Sequence, residues 1–301
     1  PSYTFVSTVN AFVLRGAKIV FADSSAESPN IDVTKIEELI TPKTKAILPV
    51  HYAGIACDMD VIMDIANRHK VYVVEDAAQS IDAYYKGRPL GSIGQLSAFS
   101  FHETKNIISG EGGMLVMNDP SFIQRAEIIR EKGTNRSAFF RGEIDKYGWV
   151  DIGSSFLPSE IIAAFLFAQL ENMNKIQAKR KFSWETYHDA LKPLAAKGYF
   201  KTPFIPAYAT NNAHIYYIVC NTPDERQRLI AELKKEQIYS VFHYLSLHKS
   251  EFYKDKYSGP ELPNSDHFSD CLIRLPMFYD LSEKEIIQVV KVIKKFYNGN
   301  S

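Results

Sequence analysis

The sequence has few cysteines, no surplus of charge and no long apolar run, and each of these shortages excludes a class of protein. Its 301 residues include three cysteines, Cys57, Cys220 and Cys271, which form no CxxC pair, so neither a disulfide framework nor a zinc site is indicated. The 35 basic residues balance the 35 acidic ones, so no broad electrostatic field would hold nucleic acid or an anionic membrane. A small molecule is the expected partner.

Signals for a membrane or for secretion are also scarce. The longest apolar run, residues 161–168, is far shorter than the roughly 20 residues that cross a bilayer. The first residues do not form a basic and apolar signal peptide. With 46% hydrophobic and 23% charged residues, the composition is that of a globular protein, and we expect it in the cytoplasm.

Short strands rich in Val and Ile alternate with helical segments in the first third of the chain. Strands are predicted over residues 18–23, 46–50 and 71–74, and helices over residues 34–41 and 59–70. Thr34 and Glu37 have the spacing of a capping box at the start of the first helix. Such strands are buried on both faces, so the pattern predicts an α/β fold with a mostly parallel central sheet and helices on both faces.

The middle of the chain predicts two more strands and a long loop. The strands cover residues 96–101 and 114–117, on either side of a glycine-rich turn, and a helix follows over residues 121–132. Residues 133–155 are polar and without periodicity, and a loop of that length is usually functional or mobile. Pro158 then opens a long helical stretch.

The last third has a different pattern and predicts a smaller α+β domain. Strands are expected over residues 214–220 and 238–244, and helices after Thr222 and Ser282, each three residues before a glutamate. The charged end of the long helical stretch would link the two patterns. We therefore predict a large domain of residues 1–175 and a small domain of residues 176–301.

Asp76 and Lys105 follow two neighbouring predicted strands, where open α/β sheets bind their ligands. Alone, an Asp at a strand end is more often a helix cap or an ion-pair partner, and a lone Lys is usually a solvated surface residue. Together they are the pair that a pyridoxal phosphate site requires. The lysine amine forms a Schiff base, and the carboxylate keeps the pyridine nitrogen protonated so that the ring accepts electrons. Ser100 either binds the phosphate ester or bonds to backbone.

Four strings around these residues occur in an order that resembles the DegT/DnrJ/EryC1/StrS family of nucleotide-sugar aminotransferases. They are PSYTF at residues 1–5, PVHYAG at 49–54, VEDAAQ at 74–79 and SFHETKN at 100–106, with GEGG following at 110–113. The resemblance extends from Pro1 to the final helix. It implies an enzyme with the fold-type I architecture of pyridoxal phosphate enzymes.

Three later strings are most similar to family members that act in enterobacterial common antigen synthesis. They are EKGTNRS at residues 131–137, FFRG at 139–142 and DIGSS at 151–155. The resemblance implies transfer of an amino group from an amino acid, usually L-glutamate, to C4 of dTDP-4-keto-6-deoxy-D-glucose. It also implies a homodimer in which both subunits build each site.

The resemblance implies roles for the residues around the cofactor. Lys105 would carry the cofactor and later move a proton, Asp76 would pair with the pyridine nitrogen, and Gln79 would bond to the ring hydroxyl. Phe5 would stack on the ring, the alternative being a plain core residue. For the proton transfer, Lys105 must lose its charge, so burial has to lower its pKa from the usual value of about 10.4.

The phosphate and the sugar nucleotide would contact further residues. Ser100 matches the phosphate-binding serine of the family, and Ser155 stands close to where many relatives have an asparagine from the neighbouring subunit. The substrate contacts implied are Asn135, Arg136, Arg141, His243 and Tyr244. A solvated loop and a structural histidine are the competing interpretations. No metal is expected, because His243 and His248 have no third ligand at a suitable spacing.

The chain departs from the family pattern at its start, because complete members have further elements and a phosphate-binding loop before PSYTF. This departure keeps open a non-catalytic fragment that only binds a partner or regulates. Two other reactions with the same cofactor also stay open, amination at C3 of the sugar and a dehydration. Lys105 disfavours the dehydratase relatives, which have histidine in its place.

Overall fold

Residues 1–299 are described by a computed structural model and contain three β-sheets with helices around them. The strands are β1 (Ala46–Ile47), β2 (Tyr72–Asp76), β3 (Tyr84–Tyr85), β4 (Arg88–Pro89), β5 (Leu96–Ser100), β6 (Gly113–Met117), β7 (Phe200–Lys201), β8 (Tyr216–Cys220) and β9 (Leu272–Leu275). The helices are α1 (Ser7–Val13), α2 (Met59–His69), α3 (Ile123–Arg130), α4 (Arg136–Phe140), α5 (Glu160–Glu171), α6 (Met173–Ala195), α7 (Pro223–Lys235), α8 (Pro263–Cys271) and α9 (Glu283–Asn298).

The largest sheet has the strand order β1-β2-β5-β6. β2 is parallel to both β1 and β5, whereas β6 returns antiparallel to β5, so the sheet is mixed with parallel strands at its centre. α2 packs on it through buried side chains that include Met59 and Ile62. In the β2–β5 register Asp76 lies opposite Ala98, so the carboxyl ends of these two strands meet at the same edge. The α/β class is confirmed.

The C-terminal part of the chain forms a three-stranded antiparallel sheet in the order β7-β8-β9. β8 is buried along its whole length, and α6, α7 and α9 contribute buried side chains to the same core. α9 begins as predicted, since Ser282 and Glu285 form both bonds of a capping box. The predicted strand at residues 238–244 is wrong: only Val241 bridges to Arg274, and β9, which the sequence pattern did not indicate, provides the third strand.

Two expectations near the start of the chain are also wrong. Residues 18–23 form no strand, because the backbone N–H and carbonyl of Ile19 both bond to the Tyr253 hydroxyl instead of a neighbouring strand. The helix expected over residues 34–41 is two 3-10 turns, Val33–Lys35 and Glu37–Leu39. The first turn is capped by Asp32, whose carboxylate accepts from the Thr34 amide, so no Thr34–Glu37 box forms.

A third apolar cluster joins residues from distant parts of the sequence. It includes Tyr3 and Tyr52 from the first part of the chain and Tyr217, Phe268 and Leu272 from the last part. The three cysteines are free and buried. None of the helices within residues 1–299 is long and apolar enough to cross a membrane.

Candidate active site

Lys105 lies in the loop between β5 and β6, five residues beyond the last residue of β5. The loop is closed by backbone bonds from Phe101 N–H to the Gly112 carbonyl (2.8 Å) and from Ser109 N–H to the Phe101 carbonyl (2.7 Å). Gly112 is needed there, since a Cβ atom would lie 2.5 Å from the Ser109 hydroxyl. The turn therefore holds Lys105 at the edge of the sheet where Asp76 ends β2.

The Lys105 amine is half-buried and has no hydrogen bond or ion pair with any residue of 1–299. Burial lowers its pKa below the usual value; the charge of Asp76 opposes this shift, and the charge of Arg274 adds to it. The charges of Asp76 and Arg274 thus both act on the amine. A lysine in this setting loses its proton more easily than one in water, as a nucleophile requires.

Asp76 is held by hydrogen bonds to both carboxylate oxygens. The Thr8 hydroxyl donates to Oδ2 at 2.6 Å, and the Ala78 backbone N–H donates to Oδ1 at 3.1 Å. The Thr4 hydroxyl lies 2.8 Å from that of Thr8 and completes a short chain of hydroxyl groups. Donors on both oxygens fix the orientation of the carboxylate.

Gln79, Tyr244 and Phe5 lie together beside this pair. The Gln79 carbonyl oxygen accepts from the Ala53 backbone N–H at 2.6 Å, and its amide donates to the Tyr244 hydroxyl at 2.9 Å. The ring centroid of Phe5 lies 6.0 Å from that of Tyr244, and Phe5 is 55% exposed. The core interpretation of Phe5 is therefore wrong, and its ring is free to cover a ligand.

His243 joins the same group of side chains through Tyr52. The Tyr52 hydroxyl lies 2.7 Å from Nδ1 of His243, and we assign the hydroxyl as donor because burial raises the pKa of Tyr52 well above 10. Burial, reinforced by the charges of Arg274 and Lys105, lowers the pKa of His243 to about 2. His243 is thus neutral, and its remaining Nε2–H is available as a donor.

Within residues 1–299, the other predicted residues make no hydrogen bond or ion pair with Lys105 and have partners of their own. The Ser100 hydroxyl is half-buried at the end of β5 and accepts from the His102 N–H at 3.3 Å. Ser155 is exposed and forms a backbone bridge with Glu131. The loop residues bond among themselves and to α3: Asn135 accepts from the Gly148 N–H, Arg136 lies over the Phe140 ring, and Arg141 pairs with Glu127 and Glu143.

Sequence reasoning missed a buried polar network directly behind the lysine. The Asn106 amide donates to the Gln177 side chain and to the Asn212 carbonyl, both at 2.8 Å, and its oxygen accepts from Nδ1 of His214 at 2.8 Å. Burial lowers the pKa of His214 well below 6.5, so its ring is neutral. The only signal in the sequence was the position of Asn106 beside Lys105, since its partners lie far along the chain.

The two histidines considered for a metal have separate partners. His243 bonds to Tyr52, whereas His248 lies 2.8 Å from the Ser2 hydroxyl. Within the described part of the chain, no group of three or more His, Cys, Asp or Glu side chains is arranged to hold a metal ion.

The residues at this edge of the sheet fit pyridoxal phosphate. They provide an amine with a lowered pKa and no partner in residues 1–299, and a carboxylate whose two oxygens each accept a hydrogen bond. They also provide an exposed aromatic ring, Phe5, beside the Gln79 amide. These are the groups needed to bind an aldehyde, a ring nitrogen and an aromatic face.

Comparison with known proteins also indicates an aminotransferase. The model of the DegT/DnrJ/EryC1/StrS aminotransferase family matches residues 1–294. The UDP-4-amino-4-deoxy-L-arabinose–oxoglutarate aminotransferase of Shewanella sediminis is 33% identical over 310 residues, which is 98% of this chain and 78% of that protein.

Solved structures share the fold. Helicobacter pylori PseC, an aminotransferase involved in the biosynthesis of pseudoaminic acid, superimposes with a TM-score of 0.89 at 25% identity, over 99% of this chain and 78% of that one. The PLP form of the sugar aminotransferase Spr1654 from Streptococcus pneumoniae has a TM-score of 0.88 at 25% identity, over 99% and 80%.

The chain belongs to the DegT/DnrJ/EryC1/StrS aminotransferase family. It is therefore a sugar aminotransferase that depends on pyridoxal phosphate, and its fold is that of the fold-type I enzymes.

Proposed function

We propose that the enzyme transfers the amino group of an amino acid, with L-glutamate as the expected donor, to C4 of dTDP-4-keto-6-deoxy-D-glucose. The product would be dTDP-4-amino-4,6-dideoxy-D-galactose, so the activity would be that of dTDP-4-amino-4,6-dideoxygalactose transaminase in enterobacterial common antigen synthesis. The observation that supports the reaction is the half-buried Lys105 amine, which has no partner in residues 1–299 and interacts electrostatically with Asp76. The choice of sugar rests on the strings at residues 131–142 and 151–155.

Each residue at the edge of the sheet has a task in this reaction. Pyridoxal phosphate, when bound, supplies an aldehyde that reacts with amines and a ring that accepts electrons. Lys105 would bind the aldehyde carbon through Nζ and, once released, take and return the proton at the reacting carbon, which its lowered pKa permits. Asp76 would keep the ring nitrogen protonated, Gln79 would orient the ring hydroxyl, and Phe5 would cover one face. Ser100 would donate to the phosphate.

Residues that could orient the sugar lie beside this group and on the long loop. The neutral His243 would offer its Nε2–H to a hydroxyl of the sugar, and Tyr244 would lie next to it. Asn135, Arg136 and Arg141 would bind the nucleotide part of the substrate, for which guanidinium groups are suited because they bind phosphate oxygens in pairs.

We also propose a homodimer in which the loop of each subunit reaches the site of the other. In this arrangement Ser155 would contact the cofactor phosphate of the partner. Its exposure is consistent with such a contact. The domain boundary is proposed at residues 175 and 176, near the start of α6, because Gln177 bonds to the first part of the chain whereas Tyr187 and Leu191 belong to the C-terminal core.

The cofactor role of Lys105 is tested by adding pyridoxal phosphate to the protein. We expect a visible absorbance band that is absent in Lys105→Ala and retained in Lys43→Ala, which changes an exposed lysine in a turn. After borohydride reduction, mass spectrometry should find one phosphopyridoxyl group, on the peptide that contains Lys105. A wild-type protein that stays folded and shows no band would refute the proposal and favour a non-catalytic role.

The position of the new amine distinguishes the remaining candidates. The enzyme is incubated with dTDP-4-keto-6-deoxy-D-glucose and L-glutamate, and the product is analysed by NMR. We expect nitrogen at C4 with the galacto configuration. No product from this substrate, together with an amine at C3 formed from the 3-keto isomer, would favour transfer at C3, and a deoxygenated product without nitrogen would favour a dehydration.

A further inference from the structure

The side chain of Asn106, the residue after Lys105, connects the lysine loop to distant parts of the chain. Asn106 is only 4% exposed, although it lies in the loop between β5 and β6. Its amide nitrogen donates to the Gln177 side chain and to the Asn212 carbonyl, and its oxygen bonds to His214, each at 2.8 Å. The side chain of Lys105 makes no such bond within residues 1–299, so the neighbouring residue provides the anchor.

A carboxylate at the far end of this network fixes the direction of every hydrogen bond in it. Oδ2 of Asp82 accepts from the Gln177 amide nitrogen at 3.1 Å, so the Gln177 oxygen faces Asn106. The NH₂ group of Asn106 therefore points to that oxygen, and its own oxygen accepts from Nδ1–H of His214. Burial, reinforced by the charge of Lys105, lowers the pKa of His214 well below 6.5. The neutral ring thus adds no positive charge beside the amine.

The partners of Asn106 all lie in the second half of the chain. Gln177 is in the first part of α6, and later residues of this helix pack in the C-terminal core. The other two partners directly precede β8, the buried central strand of the C-terminal sheet. Moving the Asn106 amide would leave several buried polar groups unpaired, and each such group is costly. A single side chain therefore holds the lysine loop in one place against the C-terminal part.

We propose that Asn106 is a positioning residue that fixes the backbone of Lys105, so that Nζ reaches the aldehyde carbon of pyridoxal phosphate. This inference rests on the proposed role of Lys105 and assigns a function to the polar network behind it. In the bond formed there, Nζ replaces the aldehyde oxygen, which leaves as water. The long lysine side chain forms this bond readily only from a fixed backbone, because a displacement of about 1 Å can cost about a hundredfold in rate.

Two ligands distinguish the positioning of Lys105 from general support of the site. Pyridoxal phosphate has an aldehyde that bonds to Nζ, whereas pyridoxine phosphate has an alcohol in its place and forms no such bond. Isothermal titration calorimetry of Asn106→Ala should show a loss of affinity for pyridoxal phosphate of about tenfold or more. The affinity for pyridoxine phosphate should change by less than about twofold. A purely structural role of Asn106 would reduce both affinities alike.

Two substitutions of His214 test the same network from its other end. His214→Asn keeps an N–H close to the position of Nδ1, so its affinity for pyridoxal phosphate should stay within about threefold of the wild-type value. His214→Phe keeps a ring but has no donor, which leaves the Asn106 oxygen unpaired. It should show the same selective loss as Asn106→Ala.

Asn264→Ala is the matched control. Asn264 lies in α8, is half-buried and donates through its side-chain amide to the Ser24 carbonyl at 2.9 Å. Its hydrogen bonds within residues 1–299 involve no member of the network, so its replacement should leave both affinities unchanged. Circular dichroism and the melting temperature show which variants are folded, and the two His214 variants decide the question if Asn106→Ala is not.

Three results would overturn the inference: equal losses of affinity for the two ligands in Asn106→Ala, unchanged affinity for pyridoxal phosphate in that variant when it is folded, or equal losses in His214→Asn and His214→Phe. Failure of the proposed function is recognised separately, because the wild-type protein would then show no absorbance band with pyridoxal phosphate. If only the inference fails, the wild-type protein keeps that band.

Discussion

At the scale of single residues, the site depends on a close approach between two parts of the backbone. Gly54 has φ +73°, and a Cβ atom there would fall inside the side-chain amide of Asn212. That amide is buried and donates to the carbonyls of Gln79 (2.7 Å) and Ile81 (2.8 Å). Gly54 therefore lets Asn212 support the segment that carries Gln79, a proposed cofactor contact.

Gly54→Ala should lower the free energy of unfolding by about 3 kcal/mol or more, because a left-handed backbone strain adds to the clash with Asn212. Gly87→Ala is the matched control. Gly87 has φ +79°, but its Cβ position is open, so only the strain of about 1–2 kcal/mol applies. Urea unfolding of both variants measures the difference, and equal losses would contradict the argument.

At the scale of elements, a buried carboxylate fixes the entry to β5. Glu75 lies on β2 beside Asp76 and accepts from the backbone N–H groups of Gly91 (2.9 Å), Ile93 (2.8 Å) and Gly94 (2.6 Å). Nε2 of His51 lies 3.0 Å from the same carboxylate. Glu75 thereby connects the two strands whose ends carry Asp76 and Lys105.

The charge of Glu75 makes this connection dependent on pH. Burial opposes ionisation, but the hydrogen bond from His51 and those from the backbone outweigh it and lower the pKa of Glu75 below 4.5. A carboxyl group whose pKa is lower in the folded protein stabilises the fold at pH values above its pKa in the unfolded chain. This stabilisation is lost as the pH falls through the pKa of the folded state.

Glu75→Gln should lower the free energy of unfolding by about 3 kcal/mol at neutral pH, because the NH₂ group of the new amide would face backbone N–H donors. The difference in free energy of unfolding between variant and wild type should become smaller as the pH falls below 4.5, the pKa of this carboxyl group in the unfolded chain. Urea unfolding at neutral and acidic pH measures it. The control is Glu38→Gln, which changes a side chain that is 61% exposed and should have little effect. A difference in free energy of unfolding that becomes larger in acid would disprove this account of Glu75.

At the scale of the whole molecule, α5 presents an apolar surface that residues 1–299 leave exposed. None of its residues is buried, and Ile161 is 83% and Phe167 63% exposed. The neighbouring loop adds exposed side chains such as Trp149 and Phe156. Surfaces of this kind usually mark interfaces, and they support the proposed homodimer.

The double change Ile161→Glu and Phe167→Glu should convert a dimer into a monomer, because charges would be buried in the interface. Light scattering after size exclusion measures the mass in solution. Phe252→Glu is the control, since Phe252 is, like Phe167, 63% exposed but lies between two 3-10 turns of the C-terminal part, far along the chain from α5. A wild-type monomer, or a variant that remains dimeric, would contradict the proposed interface.

The sequence by itself determined those features that depend on neighbouring residues. Local hydrophobic patterning was sufficient to predict α2, β2, β5 and α9. The strings around Asp76 and Lys105 were sufficient to predict the class of enzyme. These features are local because a strand, a capped helix or a cofactor motif is encoded within about ten residues.

Only the tertiary structure decided which distant residues meet. β8 pairs with β9 and not with residues 238–244, and this pairing places Arg274 beside Val241, two residues before His243. Asn106 likewise finds its partners 71 and 108 residues along the chain, at Gln177 and His214. Such contacts depend on how whole elements pack and on which buried polar groups find partners, and no local pattern of residues specifies either.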